Sequence, residues 1–291
     1  MKENSIIVTD SGLGGMLIAA ELFRILKKRN NLGKTKITFF NALFDRRRGY
    51  NSLKRLDKKV KHFDLALSAL SNRLPNLVII ACNTLSVLYP YTSFSKSSNV
   101  PVVGMTQLSR DCLREKLKGG RNCSVVILAT PTTTEQGNYG EGLSKYKKAV
   151  VIEQACPGLV GVIEGGNREQ AKQLINQYAA LASQKIEKKH FKTYISLNCT
   201  HFGYYQNEFK QAFLNKGIRN LEIINPNSEI VKSLKFTEKD KRASLGKLSI
   251  EVFSKTKIRD KFIKFSLPYL NSISPETAVA LKNYHHQPDL F

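Results

Sequence analysis

Short apolar runs alternate along this chain with longer stretches of helical periodicity, and that alternation limits the fold more than any other feature. SIIVT (5–9), KITFF (36–40), NLVIIA (76–81), VPVVGM (100–105), SVVILAT (124–130), AVVIEQ (149–154), TYISLN (193–198) and LEIIN (221–225) read as strands. Between them, GGMLIAAELFRILKKR, LDKKVKHFDLALSALSNR, TQLSRDCLREKLK and REQAKQLINQYAALASQKIEKK place apolar residues three and four apart, as amphipathic helices do. The pattern predicts parallel sheets covered by helices on both faces. A Ser- and Pro-rich stretch, YPYTSFSKSSNVP (89–101), reads as the connection between two such units.

With 291 residues, 42% of them hydrophobic, the chain can build one large or two modest cores. No apolar run approaches membrane-spanning length, and MKENSIIVTD lacks the apolar region of a signal peptide. Five cysteines, an odd number without CxxC spacing, argue for reduced thiols in a cytoplasm and against a disulfide framework or a zinc ribbon. Lys and Arg number 46 against 23 Asp and Glu, for a net charge of +23. Such a field attracts anions. No stacked-aromatic or zinc-finger signature accompanies it, so a solubilising basic surface is the simpler reading and a nucleic-acid partner is not expected.

Two strand ends resemble each other: NLVIIACNT, which ends at Thr84, and TYISLNCTH, which ends at His201. Asp10, Cys82, Thr130 and Cys199 each follow a predicted strand directly, which assigns all four to the carboxyl edge where parallel sheets bind ligands. Two facing edges make an interdomain cleft. A thiol at a helix start is near free N–H groups and the positive end of the helix dipole, so its pKa should fall. For a lone cysteine, packing as a small hydrophobe is the better account. Two at equivalent strand ends favour chemistry. Thiols on opposite sides of one carbon can remove a proton from one face and return it to the other, inverting a stereocentre without a cofactor. Such a site must also stabilise the negative charge that develops on the carbon.

Five motifs, TDSGLGG, ACNTLS, ILATPTTTEQGNY, ACPGLVGVIEGG and NCTHFGYY, together resemble the glutamate racemases of the cofactor-independent aspartate/glutamate racemase superfamily, in family order. LSIEVFSKTKIRDKFIKFSLPYL (248–270) resembles the family's closing strand and helix. The resemblance implies an α/β fold of two doubly wound parallel-sheet (αβα) domains related by pseudo-symmetry, with the site between them. It implies that Cys82 and Cys199 are the acid/base thiols, assisted by Asp10 and His201, with Glu164 supporting the histidine. Ser11, Asn83, Thr84 and Thr200 match substrate-holding positions, together with Asp10 and His201, and Thr130 and Thr133 match the family's spaced threonines. No metal or other cofactor is implied. The substrate would be glutamate, its D-isomer feeding peptidoglycan synthesis, and a homodimer stays open. Beside these roles stand plainer ones: Asp10 as a turn former, Thr84 and Thr200 as helix-start caps, Cys156 packing before Pro157, and Cys112 and Cys123 inert.

The chain departs from the family in places. Where Pro-Tyr-Gly is usual it has Arg47, Arg48 and Gly49; the Gly49 amide can still hold a carboxylate, and an arginine here, Arg48 in particular, either clamps it directly or points to solvent. Ala42 replaces an aspartate, Gln136 a serine and Gly203 a proline. Racemisation of aspartate or another amino acid, or a catalytically degenerate binding protein, are the alternatives. The expected first domain is 1–97 plus 209–271, the second 98–208, and 272–291 a tail. Its end, QPDLF (Gln287 to Phe291), resembles peptides that dock on the DNA sliding clamp. A tail packed on its own domain and clamp docking both stand as readings.

Overall fold

The computed structural model describes residues 3–29, 33–137, 139–187, 191–234 and 247–291. Asn138 of the threonine motif, the end of the predicted 168–189 helix and residues 235–246 of the basic C-terminal stretch lie outside the described residues. The strands are β1 (Asn4–Asp10), β2 (Thr35–Asn41), β3 (Leu77–Ile80), β4 (Val102–Gly104), β5 (Cys123–Ala129), β6 (Ala149–Ala155), β7 (Lys192–Asn198), β8 (Leu221–Ile224), β9 (Leu248–Ser254) and β10 (His285–His286). Among the described residues they form two sheets, ordered β10-β9-β2-β1-β3-β4 and β6-β5-β7-β8. Every pairing is parallel. Two αβα domains result, as the alternation predicts.

Side-chain alternation along each central strand feeds two cores. Val8, Ile79, Val126 and Leu197 face one continuous apolar cluster shared by both domains, built around the helix Met16–Lys27. Their neighbours Ile7, Val78 and Ile80 face the outer core of the first sheet, and Val125 and Ile127 that of the second. The helix Leu56–Ser71 buries Lys59, Phe63, Ala66, Leu67 and Leu70, a stripe at helical spacing in which one member is a lysine.

Three boundaries differ from expectation. β4 bonds to β3, so the first sheet runs past residue 97, and β8 bonds to β7, so the segment after 208 stays with the second sheet. Strand pairing over long sequence separations decides both, and local periodicity does not report it. The 272–291 tail is part of the first domain. The helix Pro275–Lys282, capped by the Ser274 hydroxyl, leads to β10, which extends the first sheet beside β9. Leu290 and Phe291 then pack on the outer core, with Phe291 5.8 Å from the Phe40 ring and its carbonyl bonded to Lys255. The tail's Leu-Phe pair is therefore engaged by its own domain. Deleting Leu290 and Phe291 is expected to lower the unfolding free energy by about 1–2 kcal/mol, from lost apolar burial, measurable by urea denaturation.

Candidate active site

Strand register places the site. Asp10 pairs with Asn41 and Thr9 with Ile80, so Asp10, Asn41 and the Ala81–Cys82 step reach one edge of the first sheet together. Ala129 pairs with both Ala155 and Asn198, so Thr130, Cys156 and Cys199 leave the second sheet side by side.

Hydrogen bonds join the two edges. Thr200 Oγ1 donates to Asp10 Oδ2 at 2.9 Å, and the Leu13 amide donates to Glu164 Oε1 at 3.0 Å. Thr84 Oγ1 is 2.8 Å from Thr130 Oγ1 and 3.4 Å from Thr133 Oγ1. Farther out, Lys59 Nζ donates to Thr132 Oγ1 at 2.7 Å, and the Thr132 amide donates to Asn51 Oδ1 at 3.1 Å. Burial lowers the Lys59 pKa, and Glu135 opposes that.

Cys82 caps the helix Asn83–Leu88: its Sγ accepts from the Leu85 amide at 3.4 Å and lies 3.2 Å from Ser11 Oγ. The expected depression of this thiol's pKa does not occur. Burial, reinforced by the Asp10 charge, raises it well above the ordinary range, and the Ser11 and Leu85 contacts offset only part of that. Asp10 is buried too, and burial raises its pKa although His201 and Thr200 pull it down. Its oxygens accept from the Gly12 amide at 3.1 Å, the Gly15 amide at 2.6 Å and Thr200. Asp10 thus pins the glycine turn and ties the domains, while the side chain bonded to Cys82 is Ser11.

On the other edge Cys199 Sγ lies 3.9 Å from His201 Nδ1, and His201 Nε2 lies 2.8 Å from Glu164 Oε1. Burial is the largest single influence on the imidazole and lowers its pKa. The bonds to Cys199 and Glu164, with their charges, outweigh it and hold the group well above its usual value. Thr130 caps the helix Pro131–Gln136 by accepting from the Thr133 amide at 3.4 Å. Asn83 Oδ1 accepts from Ser109 Oγ at 3.4 Å and from the Tyr139 hydroxyl at 3.3 Å.

A cleft of about 470 Å³, a size suited to a small molecule, opens over these edges; Ser11, Gly49, Thr130, Cys156, Glu164 and Phe262 are among the residues that line it. Cys82 and Cys199, 5% and 6% exposed, sit behind the lining residues. Arg46, Arg47, Lys257 and Arg259 line it together with one carboxylate, Glu164, which gives it a positive balance. Arg48 does not line it. Asp45 Oδ1 accepts from the Arg47 and Arg48 amides, a turn that leaves Arg48 exposed and brings Arg46 and Arg47 to the rim. A wider groove of about 940 Å³ along the helix Leu56–Ser71, lined by Asp64 and Tyr91 among others, contains none of the predicted site residues.

Sequence reasoning assigned Cys156 to packing; it donates to the Gln154 carbonyl at 3.7 Å, yet it also borders the cleft. Arg46, Lys59, Tyr139, Lys257 and Arg259 were not singled out. Lys59 carried a legible signal, a cation on an otherwise apolar helical stripe.

No protein-family model matches the chain. It is 26% identical over 248 residues to the glutamate racemase of Aquifex pyrophilus, covering 84% of this chain and 86% of that protein. Among solved structures, a glutamate racemase isoform from Bacillus anthracis superposes with a TM-score of 0.70 at 20% identity, over 93% of this chain and 95% of that one. The glutamate racemase of Francisella tularensis, solved with D-glutamate, superposes with a TM-score of 0.67 at 21% identity, over 93% and 95%. Two parallel α/β domains with a cysteine at the matching strand edge of each give the chain the fold of these racemase structures. Its sequence is similar, over most of its length, to those of glutamate racemases. Among the described residues no helix is long and apolar enough to cross a membrane.

Proposed function

We infer that the protein interconverts L- and D-glutamate, with Cys82 and Cys199 as the two acid/base groups. One cysteine, as thiolate, takes the Cα proton while the other, as thiol, delivers its own proton to the opposite face. The substrate regains one hydrogen for the one lost, and the thiols exchange protonation states, so no further reactant enters the balance. The observation that carries this reading is the equivalent placement of the two sulfurs. Cys82 stands two residues past β3, against Ser11, and Cys199 directly after β7, against the His201–Glu164 pair.

The two environments are chemically unequal. Cys82, held protonated by burial, is suited to give a proton. His201, kept cationic, stands ready to exchange a proton with Cys199 and to offset its charge as thiolate. Arg46 and Arg47 on the loop after β2, with the Gly49 amide beside them, suit the distal carboxylate of a dicarboxylic amino acid. Asn83, Thr84, Thr130, Thr133 and Thr200 supply polar groups for the amino-acid end. The D-isomer would supply peptidoglycan synthesis.

The test is to incubate the purified protein with L-glutamate in deuterated water without added cofactor, following chirality and Cα deuterium together. Inversion accompanied by one Cα deuterium is the expected outcome. Neither inversion nor exchange would refute the reading, and exchange with aspartate alone would reassign the substrate.

A further inference from the structure

Each of the two thiols has an asparagine neighbour, Asn83 after Cys82 and Asn198 before Cys199. The first of them meets a buried phenol from the core of the second domain. Tyr139, in the short helix Tyr139–Leu143, is fully buried, and its hydroxyl donates to Asn83 Oδ1 at 3.3 Å. Burial raises the phenol's pKa to about 12, while Asn198, Ser109 and Thr106 pull against that rise. Asn198 Oδ1 accepts from Ser196 Oγ at 2.5 Å.

Polar demand around this hydroxyl exceeds the bonds made. Asn83 Nδ2, Thr106 Oγ1 and Asn198 Nδ2 are buried with no hydrogen-bond partner among the described residues. Buried polar atoms of this kind are rare enough to need a reason. The ring itself is locked. Arg110 lies over it at 5.8 Å while donating to the Gly137 carbonyl at 2.5 Å, and a Cβ on Gly137 would come within 2.7 Å of the ring.

We propose that Tyr139 is a positioning residue: its hydroxyl, carried by the core of the second domain, fixes Asn83 beside Cys82 and so sets the gap across which the thiols exchange protons with the substrate carbon. The proposal rests on the racemase reading. A displacement of about 1 Å at a reacting group costs on the order of 10²-fold in rate, so a buried hydroxyl that ties the second domain to the residue after Cys82 has leverage over turnover.

Tyr139→Phe removes only the oxygen and keeps the ring. In deuterated water, with L- and D-glutamate in turn, kcat is expected to fall about 10- to 100-fold in both directions, with KM changed less than about threefold. The ratio of deuterium exchange with retention to inversion should rise, because a carbanion out of reach of the second thiol is reprotonated from the first face. A mere packing role would lower the melting temperature and leave that ratio at the wild-type value, and such a result would overturn the proposal. Ser109→Ala, which removes another donor to Asn83, is read by the same ratio if Tyr139→Phe does not fold. A wild-type protein that neither inverts nor exchanges defeats the racemase reading and this proposal with it. An active wild type with an unchanged ratio in the folded variant defeats the proposal alone.

Discussion

Changing Cys82 or Cys199 to serine is expected to lower racemisation by about 10³-fold, within the range that general acid–base groups contribute. A serine hydroxyl keeps the size and hydrogen-bonding geometry but is far too weak an acid to form the anion at neutral pH. In the two-base reading, either sulfur alone still faces one side of the substrate carbon. Each variant should therefore retain slow exchange of the Cα proton on one enantiomer, and the favoured enantiomer should be opposite in the two. Chirality-resolved mass spectrometry in deuterated water measures this directly. Wild-type turnover in either variant, or the same enantiomer preference in both, contradicts the two-base assignment.

Gly14→Ala is expected to be nearly as damaging although it adds a single methyl. A Cβ at this position would lie 2.7 Å from the His201 backbone nitrogen and 2.7 Å from its Nδ1, and would also strike the Thr200 hydroxyl. The first of these is backbone and cannot swing aside. Overpacking of this order costs about 1–3 kcal/mol, and here the strain falls on the contact that joins the Asp10 turn to the Cys199 edge. Stability measured by urea titration should fall by about that amount, and kcat by roughly 10²-fold as the histidine shifts. Gly49→Ala is the control: the nearest atom to a Cβ there is Leu43 Cδ1 at 3.7 Å, an ordinary contact, so stability should change little. A stable, fully active Gly14→Ala protein would show that the turn is not packed as described.

Local pattern accounts for much of this architecture. The run NLVIIA predicts β3, and the following Cys-Asn-Thr predicts a turn into a helix, because apolar burial and a capping side chain are both local effects. The same argument placed Asp10, Thr130 and Cys199 on strand edges. What pattern did not reveal depends on contacts between distant segments. β8 joins β7, the tail docks on Phe40, and Arg46 rather than Arg48 reaches the cleft because Asp45 ties down two amides. The Cys82 thiol illustrates the limit in another way. A helix start argues for an acidic thiol, but the degree of burial decides the sign, and burial is a property of the folded whole. Tyr139 lay inside a motif already noted, yet nothing in its neighbours told that its hydroxyl would meet Asn83, 56 residues away.

The depth at which Cys82 lies has a consequence for the protein's endurance. Alkylating agents and peroxides attack the ionised form of sulfur. A side chain kept neutral and screened from solvent offers them little target, so this sulfur should outlast an exposed thiol under oxidative or alkylating attack.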